Sequence, residues 1–256
     1  MSRRKRLLDR LRGTDIVAVG AAGTVMDTVV FFRKGVVVPI LTVNGIDLYY
    51  EQEGSGNPLL LVHGNGEDHT IFDKLVPLLK TRFTVYAIDS RGHGKSSKVE
   101  TFDYQSMADD LVAFITILGL DKPMLYGFSD GGILGLLLAS QHPDLLSRMV
   151  ISGANVTPDG IRTGWLRLFR FIYRLTKEPK IRMMLEQPNI DAGQLARISI
   201  PTMVVAGSHD MIARGHTEYI AAHIPGSRLK ILAGEGHGSY VVHSVKLYPI
   251  IMEACE

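Results

Sequence analysis

The sequence predicts an α/β domain in which helices cover both faces of one mostly parallel β-sheet. From Pro39 onward, apolar runs of strand length alternate with segments of helical periodicity, and several of these runs end in glycine-containing loops. An Asn44-Gly45 dipeptide between two alternating apolar and polar runs adds an antiparallel hairpin at the beginning. Regular alternation of strands and helices is typical of a parallel sheet with helices on both faces.

The first half of the predicted domain contains the hairpin, two buried strands and two helices. The runs "NPLLLVHG" and "FTVYAID" are short and almost continuously apolar, as strands buried on both faces are. Apolar residues recur at helical spacing in "TIFDKLVPLLK" between these strands and in "YQSMADDLVAFITILG" after them. We therefore expect a helix on either side of the second strand.

The second half continues the same alternation and ends in a helix that begins at Tyr240. The expected elements before that helix are the strand "PMLYGF", the helix "GILGLLLASQ", the strands "SRMVISGA" and "TMVVAGS", the helix "TEYIAAHI" and the strand "RLKILAG". With 256 residues, 46% of them hydrophobic, the chain can form one large domain with a sizeable core.

One connection is unusually long, because more than forty residues separate the strand that ends near Ala154 from the strand that begins at Thr202. A regular crossover does not need this length, so we predict a short helical lid inserted at about residues 157–190. An ordinary pair of surface helices is the alternative. The large apolar side chains of a lid are expected to line a hydrophobic substrate pocket: Trp165, Phe169, Ile172, Met183 and Met184.

The N-terminal residues 1–38 do not follow this pattern, and we predict them as a leader outside the core domain of residues 39–256. Their beginning, "SRRKRLLDRLRG", is basic with interleaved leucines, and an apolar run follows it. The uninterrupted part of that run, Ile16–Met26, is shorter than the about 20 residues of a membrane-spanning helix. Three interpretations stay open: a loosely attached leader or translation extension, a basic helix on a membrane surface, and a weak signal anchor.

Composition excludes several classes of partner and cofactor. The formal net charge of +2 does not favour nucleic-acid binding, and the chain has neither a Walker loop nor a G-x-G-x-x-G dinucleotide motif. No Cys/His cluster has the spacing of a zinc site, so we expect neither a metal nor a cofactor. The single cysteine, Cys255, rules out an internal disulfide bond and suits a reducing cytoplasm. Membrane association through the N-terminal segment is the alternative location.

The stretch Tyr126–Gly132, "YGFSDGG", contains the pattern G-x-S-x-G around Ser129. It follows an apolar strand and precedes an apolar helix, which is the context of a nucleophile elbow. A sharp turn from strand to helix crowds the backbone around the serine, and glycines avoid the collisions that larger residues would make there. We therefore predict that Ser129 is a catalytic nucleophile.

A serine hydroxyl is a poor nucleophile unless a base takes its proton. In a strand-turn-helix architecture of this kind the base lies in the loop after the last strand. His237 in "LAGEGHGSY" has that position among the nine histidines of the chain. His209 and His216, which flank the loop after an earlier strand, are the alternatives.

The histidine in turn needs an acid that fixes its tautomer and stabilises the imidazolium. Asp210 in "VVAGSHDMI" directly follows a buried strand and is the predicted acid. Asp159, after the preceding strand, is the alternative. The resulting chain order of serine, aspartate and histidine is the one expected for this architecture.

Two backbone N–H groups should stabilise the oxyanion that forms when the serine attacks a carbonyl. One belongs to Asp130, which directly follows the predicted nucleophile. The other is assigned to Asn65 in the loop "HGNGEDH", where Gly64 and Gly66 on either side let the backbone come close to a ligand. Together these groups indicate acyl transfer.

The chain resembles the α/β-hydrolase superfamily over residues 39–256. The motifs that carry the resemblance are "HGNG", "DSRGHGKS", "GFSDGG", "GSHD" and "GEGHG". Within the superfamily, "GFSDGG", "ISGAN" and "IPGSRLKILAGEGH" are most similar to the valacyclovir hydrolase (biphenyl hydrolase-like) group of serine esterases. The resemblance implies ester hydrolysis through an acyl-enzyme without a cofactor. The predicted lid is shorter than is usual for that group, and the first forty residues match nothing in its pattern.

The side chain of Asp130 suggests a substrate preference. Its carboxylate could attract a cationic group, such as the amine of an α-amino ester, and the resemblance implies such a role. In the alternative interpretation the carboxylate points away from the substrate and accepts hydrogen bonds from neighbouring loops. The sequence leaves both open.

The resulting prediction is a serine hydrolase that cleaves a small carboxylic ester, with amino-acid esters among the candidate substrates. Carbon–carbon bond hydrolysis, thioester hydrolysis and cofactor-free perhydrolysis use the same triad and stay open as alternatives. Haloalkane dehalogenase and epoxide hydrolase chemistry is disfavoured, because those relatives have an aspartate where this chain has Ser129. Alternatives of another class are a non-catalytic ligand-binding homologue and a lipase tethered to anionic lipid by its basic N-terminal segment.

Overall fold

The computed structural model describes residues 31–33 and 36–256, and the other residues of the predicted leader lie outside the described residues. At its start, strands β1 (Phe31–Arg33) and β2 (Val36–Val38) pair as a small antiparallel sheet. The strands from Ile40 onward belong to a second, larger sheet.

This larger sheet has eight strands and is mostly parallel. Its strands are β3 (Ile40–Val43), β4 (Ile46–Gly54), β5 (Asn57–Val62), β6 (Phe83–Ile88), β7 (Met124–Phe128), β8 (Arg148–Ser152), β9 (Thr202–His209) and β10 (Arg228–Gly236). Their order across the sheet is β10-β9-β8-β7-β5-β6-β4-β3, and within it only the β3–β4 and β4–β6 pairs are antiparallel. The predicted α/β class is confirmed.

The predicted hairpin joins β3 to β4. Asn44 and Gly45 at its turn have φ angles of 46° and 81°. A two-residue turn that matches the twist of the strands requires positive φ at both positions, which Asn and Gly tolerate better than other residues. The turn fixes the pairing of Val43 with Ile46, and so the register of the first two strands.

Helices cover both faces of the sheet. They are α1 (Val76–Leu79), α2 (Tyr104–Ile117), α3 (Asp130–Gln141), α4 (Thr163–Thr176), α5 (Pro179–Glu186), α6 (Ala192–Ala196), α7 (Arg214–His223) and α8 (Leu247–Glu253). Apolar side chains of α2, α3, α6 and α7 join the core on one face of the sheet. Those of α1 and α8 join the core on the other face.

The strand β5 shows why its sequence is continuously apolar. Leu60 and Val62 belong to one core cluster and Leu59 and Leu61 to the other, because successive side chains point to opposite faces. All four are completely buried. Burial of each such side chain contributes about 1.5–3 kcal/mol to folding.

Two expected helices differ from their predicted extent. The segment "TIFDKLVPLLK" overlaps a 3₁₀ turn, His69–Phe72, and contains the four-residue helix α1, which has Pro77 near its start. Proline suits the first turn of a helix but not its interior, so the two pieces do not merge. The final helix begins at Leu247 instead of Tyr240, and the buried Tyr240 lies in the turns before it.

The register of the central strands brings their carboxyl ends together. Val62 of β5 lies beside Gly127 of β7, and Phe128 of β7 lies beside Ser152 of β8. The loops that follow these strands therefore leave the sheet at one edge. Ligand sites of open α/β sheets lie at such an edge.

Candidate active site

Ser129 lies on the sharp turn between β7 and α3, with φ 53° and ψ −112°. A positive φ is uncommon for a residue other than glycine and is found where surrounding structure enforces it. Here the crowding is severe, because a Cβ on Gly131 would lie 2.2 Å from the Val62 carbonyl oxygen. A Cβ on Gly127 would lie 2.2 Å from the carbonyl oxygen of Gly131. The glycines of "GFSDGG" thus allow the turn that presents Ser129.

The structure brings Ser129 together with the other two predicted triad residues. The Nε2 atom of His237 lies 3.1 Å from the Ser129 Oγ. On the opposite side of the ring, Nδ1 lies 2.6 Å from the Asp210 Oδ1. The three side chains therefore form one continuous hydrogen-bonded chain.

Asp210 directly follows β9 and is almost completely buried. Its Oδ1 also accepts a hydrogen bond of 2.9 Å from the backbone N–H of Ile212. This second contact fixes the carboxylate in the loop. An ionised carboxylate can only accept hydrogen bonds, so Nδ1 of His237 donates and Nε2 is left to accept the serine proton.

His237 follows β10, and its ring packs on Phe128 with 4.9 Å between ring centroids. Gly153, with φ +63°, leaves the space for the ring, because a Cβ there would lie 2.7 Å from the His237 Cε1. The His237 side chain is 18% exposed. The ring is thus oriented by its neighbours and still accessible to a substrate.

The loop after β5 lies against the start of α3. The backbone N–H of Gly131 donates to the carbonyl oxygen of His63 at 3.1 Å, and the Asn65 amide donates to the Asp130 Oδ2 at 2.9 Å. Among the described residues, the backbone N–H groups of Asn65 and Asp130 donate to no protein acceptor. The two predicted oxyanion donors therefore have no protein acceptor there, and their role in binding an oxyanion stays a prediction.

A family model described as the alpha/beta hydrolase fold matches residues 57–190, which is just over half of the chain. The chain belongs to the alpha/beta hydrolase family. The resemblance and the fold that the motifs predicted are thereby confirmed.

The hydrolase is also similar to individual family members. It is 32% identical over 242 residues to the human serine hydrolase BPHL, which covers 82% of this chain and 83% of the relative. It is 26% identical to the pimeloyl-acyl-carrier-protein methyl ester esterase of Neisseria meningitidis, over 72% of this chain and 88% of the relative. Among solved structures, a thermophilic esterase from Thermogutta terrifontis has a TM-score of 0.70 and 25% identity, covering 84% of this chain and 96% of that chain. The similarity to these relatives supports the conclusion that this chain is a hydrolase similar to esterases.

The alternative triad residues lie elsewhere in the hydrolase. His209 is exposed and contacts Ser208, and the Nε2 of His216 lies 3.9 Å from the Asp159 carboxylate. Asp159 itself is 81% exposed and accepts a hydrogen bond from Thr157. In the described part of the chain none of these residues forms a hydrogen bond or ion pair with Ser129 or His237, although His209 lies beside Gly236 in the sheet.

The predicted lid consists of α4 and α5, but its apolar residues do not share one environment. Met183 is buried in the main core, and Phe169 and Met184 pack on a small separate cluster. Trp165 is 46% exposed. Ile172 is half-buried. The helices observed agree with a helical insertion, and the pocket-lining role of its residues stays a prediction.

The structure adds two residues that sequence reasoning missed, Glu67 and Tyr104. The Glu67 carboxylate accepts a 3.0 Å hydrogen bond from the Gly64 N–H, and its burial raises its pKa. The Tyr104 hydroxyl donates to the Asp130 Oδ1 at 2.8 Å. Burial, more than the neighbouring Asp130, raises the pKa of Tyr104 well above its usual range. Of the two, only Glu67 has a signal in the sequence, because it lies two positions after Asn65 in the loop with the predicted oxyanion donor.

The Asp130 carboxylate therefore has a protein donor on each oxygen, Tyr104 on Oδ1 and Asn65 on Oδ2. The residue is buried, and this burial raises its pKa although both hydrogen bonds lower it. These contacts are those expected if the carboxylate organises neighbouring loops.

One further cluster could offer ligand atoms to a metal ion. Atoms of Asp68, His69 and Asp89 lie within 4.8 Å of one another. The His69 ring is already engaged on both nitrogens, at 2.7 Å from Asp89 and 3.0 Å from Glu51. His69 and Asp89 are thus bound to each other, and Asp68 accepts hydrogen bonds from Thr70. The cluster has no residue in common with the triad.

Within residues 31–33 and 36–256, no helix combines the length and the hydrophobicity that crossing a bilayer requires.

Proposed function

We propose that this hydrolase cleaves small carboxylic esters through a covalent acyl-enzyme, with Ser129 as the nucleophile. The observation that carries the proposal is the hydrogen-bonded chain from Ser129 Oγ through His237 to Asp210, with distances of 3.1 and 2.6 Å. The similarity to a human serine hydrolase and to bacterial esterases supports the same chemistry.

In the first half of the reaction, His237 Nε2 takes the proton of the Ser129 hydroxyl while Oγ attacks the ester carbonyl carbon. The charge that develops on the carbonyl oxygen is stabilised by the backbone N–H groups of Asn65 and Asp130. His237 then gives the proton to the leaving alcohol as the carbon–oxygen bond breaks. Asp210 stabilises the imidazolium throughout.

The second half repeats these steps with water as the nucleophile. His237 takes a proton from water, the resulting hydroxide attacks the acyl carbon, and the proton returns to Oγ as the acid leaves. Protons and electron pairs balance over the cycle without a cofactor. Thioesters, activated carbon–carbon bonds and hydrogen peroxide as acyl acceptor would use the same groups, and substrate profiling separates them from esters.

The proposal is tested by pre-steady-state hydrolysis of p-nitrophenyl acetate and p-nitrophenyl butanoate. We expect a burst of p-nitrophenol equal to the concentration of active enzyme, because p-nitrophenol is a good leaving group and deacylation by water is then the slower step. Acid quenching and mass spectrometry should then find the acyl group on the peptide that contains Ser129. Acylation of another residue, or no covalent intermediate and no turnover on any ester, would contradict the proposal and favour a ligand-binding role.

We further expect the Asp130 side chain to position the oxyanion loop and not to select amines. Asp130→Ala should lower kcat about tenfold, because the Asn65 amide loses its acceptor while the catalytic N–H of residue 130 is kept. The loss should be equal on ethyl valinate and ethyl 3-methylbutanoate, which differ only in the amine. The measurement is kcat and KM on both esters by pH-stat titration.

Asp130→Asn is the matched variant, since an amide keeps the size of the side chain and one acceptor oxygen. We expect a smaller loss than for Asp130→Ala, again equal on the two esters. A loss of kcat/KM of tenfold or more on ethyl valinate alone would assign the carboxylate to amine recognition instead. A loss of that size is what removal of one hydrogen bond between charged groups produces.

A further inference from the structure

The outer side of the lid helix α4 carries a row of large apolar side chains that nothing in the described structure covers. Trp165, Leu168, Phe171 and Leu175 are 46%, 44%, 58% and 70% exposed. They make up half of the large apolar residues that are exposed among the described residues. Exposed apolar groups concentrated on one helix mark an interaction surface more often than scattered ones do.

The sequence of α4 explains how this row arises. Leu168, Phe171 and Leu175 follow one another at intervals of three and four residues, which places them along one side of a helix. Leu166 and Phe169 lie on the side that packs against the body of the hydrolase. The helix is therefore apolar on two sides, and only one of them is used for folding.

Basic residues lie next to the exposed row. Arg167, Arg170 and Arg174 are exposed, and α4 contains no acidic residue. Within the described part of the chain, none of these three arginines forms an ion pair with a carboxylate. Long basic side chains beside exposed apolar ones are characteristic of helices that lie in a membrane interface.

Among the described residues, the positive charge is concentrated on the lid. Residues 162–182 contain seven basic residues and one acidic residue. The whole chain has a net charge of only +2, so the rest of the chain taken together is negative. This distribution orients the lid toward an anionic surface and turns the remaining molecule away from it.

We propose that α4 docks on the surface of a bilayer that contains anionic lipid headgroups. Phe171, Leu175 and Leu168 enter the interfacial region, and the arginines beside them bind the headgroups. A second copy of the chain is disfavoured as the occupant, because it would bring two strongly basic helices together. The basic beginning of the N-terminal segment is disfavoured as the occupant for the same reason, because the arginines of α4 repel its positive charges.

Docking at this helix would place the candidate active site next to the membrane. The Lys180 carbonyl oxygen, in the helix α5 that follows α4, lies 3.5 Å from the Asn65 Nδ2 in the loop with the predicted oxyanion donor. Esters that partition into the bilayer would then be concentrated near Ser129. Membrane binding itself does not depend on the proposed hydrolysis and is measured separately from it.

The test is co-flotation of the full chain with lipid vesicles. One set contains phosphatidylcholine alone, and the other contains phosphatidylcholine with about 30% phosphatidylglycerol, which supplies the anionic surface. We expect binding to the anionic set only, weakened by added salt because the headgroup contacts are screened. The double variant Phe171→Ser, Leu175→Ser should lower the partition coefficient at least about tenfold, and Arg170→Gln, Arg174→Gln should do so by a similar factor.

The matched control is Leu229→Ser, Val245→Ser, which removes two comparably exposed apolar side chains away from the lid. It should bind vesicles as the unmodified chain does. Unchanged binding of both lid variants would overturn the proposal and assign any membrane contact to the N-terminal segment. A chain that ignores anionic vesicles but forms a dimer broken by Phe171→Ser, Leu175→Ser would overturn it in favour of a second copy.

Discussion

Replacing Ser129 by alanine is expected to lower kcat for p-nitrophenyl esters by at least about 10⁴-fold and to abolish the burst. The substitution removes the oxygen that forms the bond to the acyl carbon, and His237 then has no proton to accept. Residual hydrolysis would come from the oxyanion donors and from binding alone. The measurement is kcat under saturating substrate, with the burst amplitude recorded in the same experiment.

Ser208→Ala is the matched control, because Ser208 is exposed at the end of β9 and its hydroxyl has no contact with His237. It should keep full activity. Ser129→Ala should unfold at the same temperature as the unmodified chain, since the only side-chain partner of the Ser129 hydroxyl among the described residues is His237. A burst that persists in Ser129→Ala would place the nucleophile on another residue.

Most of the fold could be predicted from the sequence because the sheet is encoded locally. Each buried strand is a short apolar run, and the hairpin is encoded by Asn44-Gly45 alone. The final helix was predicted too early, at Tyr240 instead of Leu247. Tyr240 and Val241 are buried in turns, and apolar residues that are buried outside regular structure imitate the start of a helix.

The members of the candidate triad could be predicted because the architecture assigns each one to the end of a strand. Ser129 follows β7, Asp210 follows β9 and His237 follows β10. Parallel strands in register bring these ends to the same edge of the sheet, although 108 residues separate Ser129 from His237. The position of each residue at the end of a strand, together with the G-x-S-x-G pattern and the chain order of serine, acid and base, distinguishes these three residues from the alternatives.

The surroundings of the site were not predictable in the same way, because they depend on contacts between distant segments. Tyr104 reaches Asp130 from the first turn of α2, 26 positions away in sequence, and no local pattern signals such a contact. The lid residues illustrate the same difficulty. Helical periodicity places Trp165 and Met183 on apolar faces, but it does not say that one is exposed and the other buried in the core.

The triad geometry makes a second strong prediction, for Asp210→Asn. We expect kcat to fall about 10³- to 10⁴-fold with little change in KM, because the carboxylate acts on His237 and not on the substrate. If the amide nitrogen faces His237, it donates to Nδ1 and moves the ring proton to Nε2, where it blocks transfer from Ser129. If the amide oxygen keeps its bonds to Nδ1 and Ile212, the negative charge that stabilises the imidazolium is still lost.

The second orientation has an additional cost. In the described structure the Asp210 Oδ2 is buried without a hydrogen-bond partner, so an amide nitrogen in its place would be a buried donor without an acceptor. Such a group costs about 1–3 kcal/mol. In the first orientation the amide nitrogen faces the Ile212 N–H and leaves that buried donor without an acceptor, so each orientation has a cost and each lowers activity. Asp159→Asn, the matched variant at the exposed alternative acid, should leave kcat unchanged. Equal losses in the two variants, or a greater loss in Asp159→Asn, would mean that His237 is not paired with Asp210 during turnover.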